Sequence, residues 1–179
     1  MKISICIPTY NRSVNLNNCL YSIYKNRKYL DNVEVCILDN CSTDNTRKVV
    51  NGFKNKININ YKKNIRNLGM AYNIINVTKI AKGEFIWLIG DDDLLMPDAI
   101  RALHRLIDFH PGVDFFYVNS FHLHAEFLKD FPSPFDTKNL PNYMTPFSKW
   151  PVAGEMPFFD LVNPKISFDF LGGMFLSVF

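Results

Sequence analysis

The chain has 179 residues, of which 47% are hydrophobic and 21% are charged, and its formal net charge is +3 at pH 7. This size and composition are typical of one globular domain with a hydrophobic core. No apolar run approaches the ~20 residues of a membrane-spanning helix. The amino-terminal residues also lack the long apolar segment of a signal peptide. The sequence therefore predicts a cytoplasmic protein.

The charges are distributed unevenly along the chain. Residues 1–90 carry 14 Lys and Arg against 5 Asp and Glu, whereas residues 91–179 carry 6 against 12. Two interpretations of the basic half remain equally open, namely an anionic partner, such as nucleotide phosphates or a lipid surface, and a solvated surface. Nucleic acid is disfavoured as a partner, because the basic residues lack an aromatic-interleaved or helix-borne recognition pattern.

Strand patterns alternate with helix patterns through the first two-thirds of the chain. The predicted strands cover residues 3–7, 33–38, 57–61, 85–89 and 114–118, and Pro8 is expected to stop the first of them. The predicted helices cover residues 16–26, a short stretch ending near 53, 70–81, and about 97–109. The buried face of the third helix is expected to carry Met70, Ile74, Val77 and Ala81. This order predicts an α/β fold, with a Rossmann-like, doubly wound and mainly parallel sheet flanked by helices.

The composition changes after about residue 119. Seven of the ten prolines lie between 132 and 164, and fourteen of the sixteen phenylalanines lie from 109 onward. Such a segment lines an acceptor cleft, contacts a membrane surface or packs onto the sheet as core, and the last is favoured. We therefore expect one domain, with an α/β half at 1–118 and a proline- and aromatic-rich segment at 119–179.

Three acids follow the fourth predicted strand, where Gly90 leads into Asp91, Asp92 and Asp93. Adjacent carboxylates repel one another, so this cluster is costly unless a cation lies among them. Hard carboxylate oxygens suit Mg²⁺ or Mn²⁺, which binds through one or two carboxylates together with substrate phosphates. The cluster therefore predicts a divalent-metal site that holds the phosphates of a nucleotide-linked substrate.

Two further features lie at predicted strand ends, residues 8–12 and residues 39–40. In a parallel sheet these ends share one edge with the acid cluster, and ligands bind beyond that edge. An acceptor such as Asp39 suits an N–H donor of a nucleotide base, and the ring of Tyr10 can stack on the base. Together the three features favour a nucleotide site.

Five segments, spread over residues 3–118, carry a resemblance to a known family. They are Ile7-Pro8-Thr9-Tyr10-Asn11-Arg12, Asp39-Asn40-Cys41-Ser42-Thr43-Asp44-Asn45-Thr46, Asn67-Leu68-Gly69, Ala81-Lys82-Gly83-Glu84-Phe85-Ile86 and Asp91-Asp92-Asp93. In their order and spacing the chain resembles the family 2 glycosyltransferases, and it is most similar to bacterial enzymes that build surface polysaccharides. The resemblance implies the GT-A fold, a nucleotide-diphosphate sugar donor, a glycan or lipid-linked glycan acceptor, and Mn²⁺ or Mg²⁺.

The resemblance also implies roles for the residues of the nucleoside pocket. Pro8, Thr9 and Tyr10 would line this pocket, and Asp39 would contact the base. Arg12 would lie near the same pocket.

In the acid cluster, which looks like the family's Asp-x-Asp motif, the resemblance places Asp91 beside the ribose and Asp92 next to the nucleotide. Asp93 would ligate the metal, with Asp91 as the second metal candidate. Asn67 is a further candidate for the nucleotide pocket.

Two departures from the family pattern affect these assignments. Tyr72 stands where many relatives have an arginine, so one phosphate or base contact is absent or replaced. Past a Gly-Gly segment at 171–173 the chain ends before the acid that relatives use to deprotonate the acceptor, and we expect a truncated chain. Asp160 and Asp169 are the remaining carboxylates near the end. Surface acids are the favoured interpretation of both, so no catalytic base is assigned.

Cysteine and histidine patterns indicate no metal or disulfide site. The cysteines at 6, 19, 36 and 41 form no C-x-x-C pair, and Cys6 and Cys36 are expected to be buried apolar fillers. His122 and His124 would share one face of a strand, but no third ligand is evident. Exposed histidines near the cleft are therefore favoured.

Two functions remain after this reasoning. The first is a metal-dependent glycosyltransferase that moves a sugar from a nucleotide-diphosphate donor to a hydroxyl, with inversion implied by the resemblance. The alternative is a fragment that binds the nucleotide sugar without transferring it. A nucleotidyltransferase is disfavoured because no glycine-rich phosphate loop follows the first strand. The sequence does not indicate an oligomeric state.

Overall fold

Strands and helices alternate in the computed structural model, which describes residues 2–148, 154–161 and 177–178. The strands are β1 (Ile3–Thr9), β2 (Val33–Asp39), β3 (Ile59–Lys63), β4 (Phe85–Leu88), β5 (Phe116–Tyr117) and β6 (Ser177–Val178). The α-helices are α1 (Ser13–Lys25), α2 (Thr46–Phe53), α3 (Met70–Thr78), α4 (Ala99–Phe109) and α5 (Phe158–Leu161). Short 3₁₀ helices cover Arg27–Tyr29, Ala125–Asp130 and Thr137–Asn139.

The strands form one sheet in the order β3-β2-β1-β4-β6-β5. The first four strands are parallel, and Cys6 in the centre of β1 pairs with Cys36 of β2 and with Leu88 of β4. β6 lies between β4 and β5 and is antiparallel to both. The predicted α/β class with a mainly parallel sheet is therefore confirmed.

The pleat of the central strands separates two layers of core. Ile5 of β1 is fully buried in a cluster with residues of α1, α2 and α4. Cys6, the next residue, is fully buried on the opposite side with Val77 of α3. Because side chains alternate along a strand, α1, α2 and α4 cover one face of the sheet and α3 covers the other. Cys6 and Cys36 are buried among apolar side chains, as expected.

β1 continues through Pro8 to Thr9, so the expectation that Pro8 ends this strand is wrong. Proline lacks an N–H, and it is tolerated in a strand where the side that the N–H would face has no paired strand. β4 ends at Leu88, whose partner is Cys6, so Pro8 lies beyond the paired part of β4. On the other side, Thr9 still accepts a hydrogen bond from the N–H of Asn40 at 2.9 Å.

Other boundaries differ by a few residues from those predicted. β3 begins at Ile59 because Ile57 still donates its N–H to Phe53 in the turn after α2. α3 ends at Thr78, and its first residue, Met70, is 78% exposed rather than buried. The reason is that Met70 begins the helix beyond the edge of the sheet, whereas Val77 lies over the sheet and is buried.

The strand near residue 116 differs more from the prediction. β5 contains only Phe116 and Tyr117, and β6 rather than β5 is the neighbour of β4. The pairing partner of β5 comes from residues 177–178, about 60 positions later, so the local pattern contained no sign of it.

Part of the aromatic segment packs as core. Phe135 is 1% exposed, and its N–H donates to Oδ1 of Asn18 in α1 at 2.9 Å. Ser133 donates its hydroxyl to the same oxygen at 3.1 Å. This supports the interpretation that residues near 135 wrap onto the α/β half.

The predicted strand carrying His122 and His124 is wrong. Phe121 forms only an isolated bridge with Pro146, and His124 precedes a 3₁₀ helix. The His122 ring packs against Phe147, with the ring centroids 5.4 Å apart. The side chain of Asp160, the residue Asp169 and the Gly-Gly segment at 171–173 lie outside the described residues.

Candidate functional site

The site is built where β1, β2 and β4 end at one edge of the sheet. The Thr9 hydroxyl at the end of β1 donates to Oδ2 of Asp91 at 2.7 Å, so it joins the first strand to the acid cluster. The Asn40 N–H, just beyond β2, donates to the carbonyl of Thr9. These bonds bring together the three features that the sequence placed at one edge.

Arg12 supplies the positive charge beside the acid cluster. Its guanidinium lies 3.1 Å from Oδ1 of Asp91 and donates to Oδ2 of Asp92 at 2.7 Å. Burial disfavours the charged guanidinium, but the contacts with Asp92 and Asp91 prevail and raise the pKa of Arg12. The side chains of Arg12 and Asp92 remain about half exposed, so this pair faces solvent at the edge of the sheet.

Asp91 is only 5% exposed. Burial raises the pKa of its carboxyl, although the hydroxyl of Thr9 and the charge of Arg12 act in the opposite direction. Thr9 and Arg12 therefore supply a hydrogen bond and a charge for a carboxylate that the protein otherwise removes from water.

The carboxylate of Asp93 folds back onto the turn that carries it. It accepts the N–H of Gly90 at 2.6 Å. A Cβ at Gly90 would lie 2.7 Å from Oδ1 of Asp92 and 3.1 Å from Oδ2 of Asp93, so a larger residue here would displace these two carboxylates. Burial, then the charges of Asp92 and Asp91, raise the pKa of Asp93, while the N–H of Gly90 lowers it. This carboxylate therefore lies in a site that disfavours its negative charge.

Asp39 lies at the end of β2 and is completely buried. Its Oδ1 accepts the N–H of Ser42 at 2.7 Å, and its Oδ2 accepts the hydroxyl of Tyr61 at 2.7 Å. Burial and the bond to Asp39 raise the pKa of Tyr61. Lys63 closes the same loop by donating to the carbonyl of Ser42 at 2.7 Å. The carboxylate thus organises the loop after β2.

The loop after β1 holds Tyr10 with its side chain 42% exposed at the edge of the sheet. The next residue, Asn11, adopts a left-handed φ of 52°, a conformation that asparagine tolerates better than most residues. Its N–H donates to the Ser42 hydroxyl at 2.9 Å, and its side chain accepts the N–H of Thr43 at 2.7 Å. The loops after β1 and β2 are therefore bonded together beside Tyr10.

A network of asparagine side chains fixes the loop that precedes α3. Nδ2 of Asn40 donates to Oδ1 of Asn67 at 2.7 Å, and Oδ1 of Asn40 accepts the N–H of Leu68 at 2.9 Å. Asn64 donates to both Asn40 and Asn73. Asn67 therefore lies on the predicted edge of the sheet, with its oxygen engaged in this network. The repeated asparagines in the sequence were the only available signal for it.

Asp44 was not among the predicted site residues, yet it connects the first two helices. One oxygen accepts the N–H of Ser13 at 2.8 Å, where α1 begins, and the other accepts the N–H of Thr46 at 3.0 Å, where α2 begins. Burial acts against the charged carboxylate, but the bonds from Thr46 and Ser13 prevail and lower the pKa of Asp44 to about 2. This acid positions the segment that carries Arg12.

Within the described parts of the chain, no group of three or more His, Cys, Asp or Glu side chains is arranged to hold a metal ion. A Mg²⁺ or Mn²⁺ ion that is shared with a diphosphate needs only one or two carboxylates from the protein. Asp91 and Asp93 are oxygen donors of the required kind.

Comparison with known proteins gives the same fold and family. The model of the family described as glycosyl transferase family 2 matches residues 4–152. The abequosyltransferase RfbV of Salmonella typhimurium is 39% identical over 110 residues, which are 60% of this chain and 33% of RfbV.

Two solved structures share the architecture. The crystal structure of Staphylococcus aureus TarS 1–349 in complex with UDP-GlcNAc has a TM-score of 0.59 at 30% identity, covering 64% of this chain and 33% of that chain. The mannosyltransferase PcManGT of Pyrobaculum calidifontis, in complex with GDP-Man and Mn²⁺, has a TM-score of 0.57 at 22% identity, covering 64% and 34%. The second similarity concerns the fold alone. Both structures support the expected GT-A architecture.

The chain spans about a third of the length of the curated relative RfbV and of the TarS structure. The family model nevertheless covers most of the chain, including β1, β2, β4 and the acid cluster. The chain therefore belongs to glycosyl transferase family 2.

Proposed function

We propose that this chain is the donor-binding part of a metal-dependent glycosyltransferase. It would move a sugar from a nucleotide diphosphate to a hydroxyl of a glycan or lipid-linked glycan in surface-polysaccharide synthesis. The observation that carries the proposal is the hydrogen bond between Thr9 and Asp91, which joins two strand ends into one polar edge beside an exposed tyrosine. The activity named for RfbV and the UDP-GlcNAc bound to TarS support a nucleotide-sugar donor.

The nucleoside would lie against the ends of β1 and β2. The ring of Tyr10 is exposed there and can stack on a base. Pro8 and Thr9 would form the adjacent wall. Asp39 would accept an N–H of the base, because each carboxylate oxygen has a second lone pair beyond the bond it already accepts.

The ribose and the diphosphate would lie along the end of β4. Asp91, fixed by Thr9, would accept from a ribose hydroxyl. Arg12 would serve as a phosphate partner, since its side chain is 47% exposed beside the acid cluster and a guanidinium matches the geometry of a phosphate. Asp92 would contact the nucleotide from the same turn, and Asn67 would border the pocket from the loop before α3.

A divalent cation fits this edge of the sheet. Three carboxylates lie beside one guanidinium, and burial raises the pKa values of Asp91 and Asp93. Asp93, with Asp91, would hold Mn²⁺ or Mg²⁺. When bound, the ion would neutralise charge on the leaving diphosphate.

The remaining parts of the proposal concern transfer itself. In-line displacement would form the bond from the acceptor oxygen to the anomeric carbon as the bond to the diphosphate breaks, with inversion. Pre-orientation of donor and acceptor would supply much of the rate. Residues 119–179 would contribute to the acceptor side of the same domain. The protein would act in the cytoplasm, at or near the membrane.

A second candidate is binding of the nucleotide sugar without transfer, since none of the described residues is assigned as the base that would deprotonate the acceptor. The test combines a titration of the chain with UDP and Mn²⁺ and an assay of UDP release and acceptor glycosylation from UDP-sugars. Turnover supports the transferase. Binding without turnover supports the second candidate, and the absence of both binding and turnover refutes both.

A further inference from the structure

One side of the molecule is strongly basic. Residues 45–83 contain nine Lys and Arg and no Asp or Glu, and they form α2, β3 and α3. β3 is an edge strand of the sheet, with α3 on one face and α2 on the other. This charge distribution fits an anionic partner.

The outer face of α3 is apolar as well as basic. Asn73 and Val77 turn towards the sheet and are buried. Tyr72 and Ile75 on the outer face are 48% and 59% exposed, and Lys79 follows four residues after Ile75. These three positions lie on one side of a helix by their spacing. Exposed apolar side chains in such a line are typical of an interaction surface rather than of ordinary solvated helices.

The surface continues past both ends of the helix. Ile65 and Met70 are 101% and 78% exposed at its amino-terminal end. Lys62 lies on the α3 face of β3, because its neighbour Tyr61 contacts Asp39 on the other face. Arg66 and Lys82 are also exposed.

We define the α3 surface as eight residues: Lys62, Ile65, Arg66, Met70, Tyr72, Ile75, Lys79 and Lys82. Among the described residues, no carboxylate oxygen lies within 4.0 Å of the charged nitrogens of its four basic side chains. The buried carboxylate of Glu34 accepts the backbone N–H of Lys82, at 2.6 Å. Glu84 is the acid nearest to the α3 surface in sequence.

We propose that the α3 surface docks on a bilayer of anionic phospholipid. Basic side chains would lie at the headgroups, and Ile65, Met70 and Ile75 would enter the boundary between headgroups and acyl chains. Protruding aliphatic side chains favour lipid over nucleic acid, which is bound through basic, hydrogen-bonding and stacking groups. None of the described helices combines the length and apolar character needed to cross a bilayer. The contact would be peripheral, and it goes beyond the proposed donor site.

Docking in this way has a consequence for the donor site. The loop before α3 belongs to the α3 surface through Ile65 and Arg66, and it is tied to Asn40 by the asparagine network. The edge of the sheet that carries Asp39 and Asp91 would therefore lie close to the bilayer.

The test is co-sedimentation of the chain with phosphatidylcholine vesicles, with or without about 30% phosphatidylglycerol, from about 0.05 to 0.5 M NaCl. We expect binding only to the anionic vesicles and weaker binding as the salt concentration rises. Lys79→Gln should weaken binding about fivefold, since a basic residue near such a surface contributes about that factor. Ile75→Asn should weaken it by a similar or larger factor, because the inserted apolar group is lost.

Matched controls come from α4, which covers the opposite face of the sheet. Phe109 is 76% exposed and Arg105 is also exposed, so Phe109→Asn and Arg105→Gln remove the same kinds of group elsewhere. We expect vesicle affinity within about twofold of the parent chain for both controls. Circular dichroism checks that each variant is folded.

Three results would overturn the proposal: no binding to anionic vesicles at low salt, equal losses in the α3 and α4 variants, or tighter binding to a random oligonucleotide than to the vesicles. A UDP titration on the same variants separates this proposal from the donor site. Vesicle binding without UDP binding would count against the donor site alone, and UDP binding without vesicle binding would count against the α3 surface alone.

Discussion

The carboxylate of Asp39 has a structural role in the loop after β2, and a second role, towards the nucleotide, is proposed for it. It is completely buried and accepts hydrogen bonds from Ser42 and Tyr61, so it stabilises the loop after β2. The family resemblance assigns it to the nucleotide base. Both roles require a hydrogen-bond acceptor at this position. Changing Asp39 and its partner Tyr61 in separate variants distinguishes the two roles.

We predict that Asp39→Asn weakens uridine binding roughly tenfold or more, even without metal, because a hydrogen bond to a charged acceptor contributes about 1.5–3 kcal/mol. The measurement is a uridine titration by calorimetry, beside denaturant unfolding. Tyr61→Phe is the matched control, because it removes one partner of Asp39 and leaves the carboxylate. It should lower the free energy of unfolding by about 1 kcal/mol while uridine affinity stays within about twofold. Equal uridine affinity in Asp39→Asn and the parent chain would make Asp39 purely structural.

The location of the candidate residues at one edge of the sheet was predictable, whereas most of their hydrogen-bond partners were not. Pro8, Thr9, Tyr10 and Asp91 lie at the expected edge because strands end where a buried apolar run ends. The hydrogen bond from Thr9 to Asp91 spans 82 positions, and the side-chain bonds of Asn40 join positions 24 to 29 apart. Such contacts depend on strand order, which a local pattern does not contain.

At the scale of elements, Asp44 joins the starts of α1 and α2. Its two oxygens accept the N–H groups of Ser13 and Thr46, which no other residue of either helix satisfies. Asp44 stands two residues before Thr46, so this bond is local in sequence. The sequence pattern predicted the start of α1 three residues late, because the acid that accepts the N–H of Ser13 is 31 positions away.

We predict that Asp44→Ala lowers the free energy of unfolding by roughly 1–2 kcal/mol at pH 7, because two helix starts lose their acceptor. Denaturant unfolding followed by circular dichroism measures the change. Asn45→Ala is the control, since Asn45 precedes α2 and its side chain makes no capping bond. A loss as large in the control as in Asp44→Ala would show that the bonds of Asp44 are not the cause.

We also predict how the stability difference between the parent chain and Asp44→Ala depends on pH. The pKa of Asp44 is about 2 in the folded protein, below the ~3.9 of an unfolded aspartate. The stabilisation is therefore fully present above about pH 4 and is lost as the pH falls towards 2. The stability difference between the parent chain and Asp44→Ala should shrink over that interval. A difference that stays constant from pH 5 to pH 2 would contradict the assigned pKa shift.

The fold as a whole was predictable where strand patterns alternate regularly with helix patterns along the chain. Alternating patterns through residue 89 gave the parallel core of β1 to β4, with boundary errors of a few residues. The pattern gave the wrong strand end at Pro8, because β4 ends before this residue and no strand there needs its missing N–H. It also gave no sign that β6 lies between β4 and β5. In both cases the deciding fact is where another strand lies.

At the scale of the whole molecule, basic and acidic residues lie in different places, and we propose a different partner for each. The α3 surface is basic and apolar, whereas the acid cluster lies at the carboxyl edge of β4 and is balanced by Arg12. A diphosphate would bring more negative charge to this edge, which is unfavourable without a further cation. The central claim of our account is therefore that Asp93 binds a metal ion shared with the diphosphate.

The most direct test is a UDP titration with and without Mn²⁺ on the parent chain and on Asp93→Asn, in which the amide oxygen can still accept the N–H of Gly90. Asp31→Asn, an exposed position before β2, is the control for the loss of one charge. We predict that Mn²⁺ strengthens UDP binding by about tenfold or more, ~1.4 kcal/mol, in the parent and control chains, and that Asp93→Asn removes this gain. An equal gain in Asp93→Asn, or no gain in the parent chain, would contradict the account.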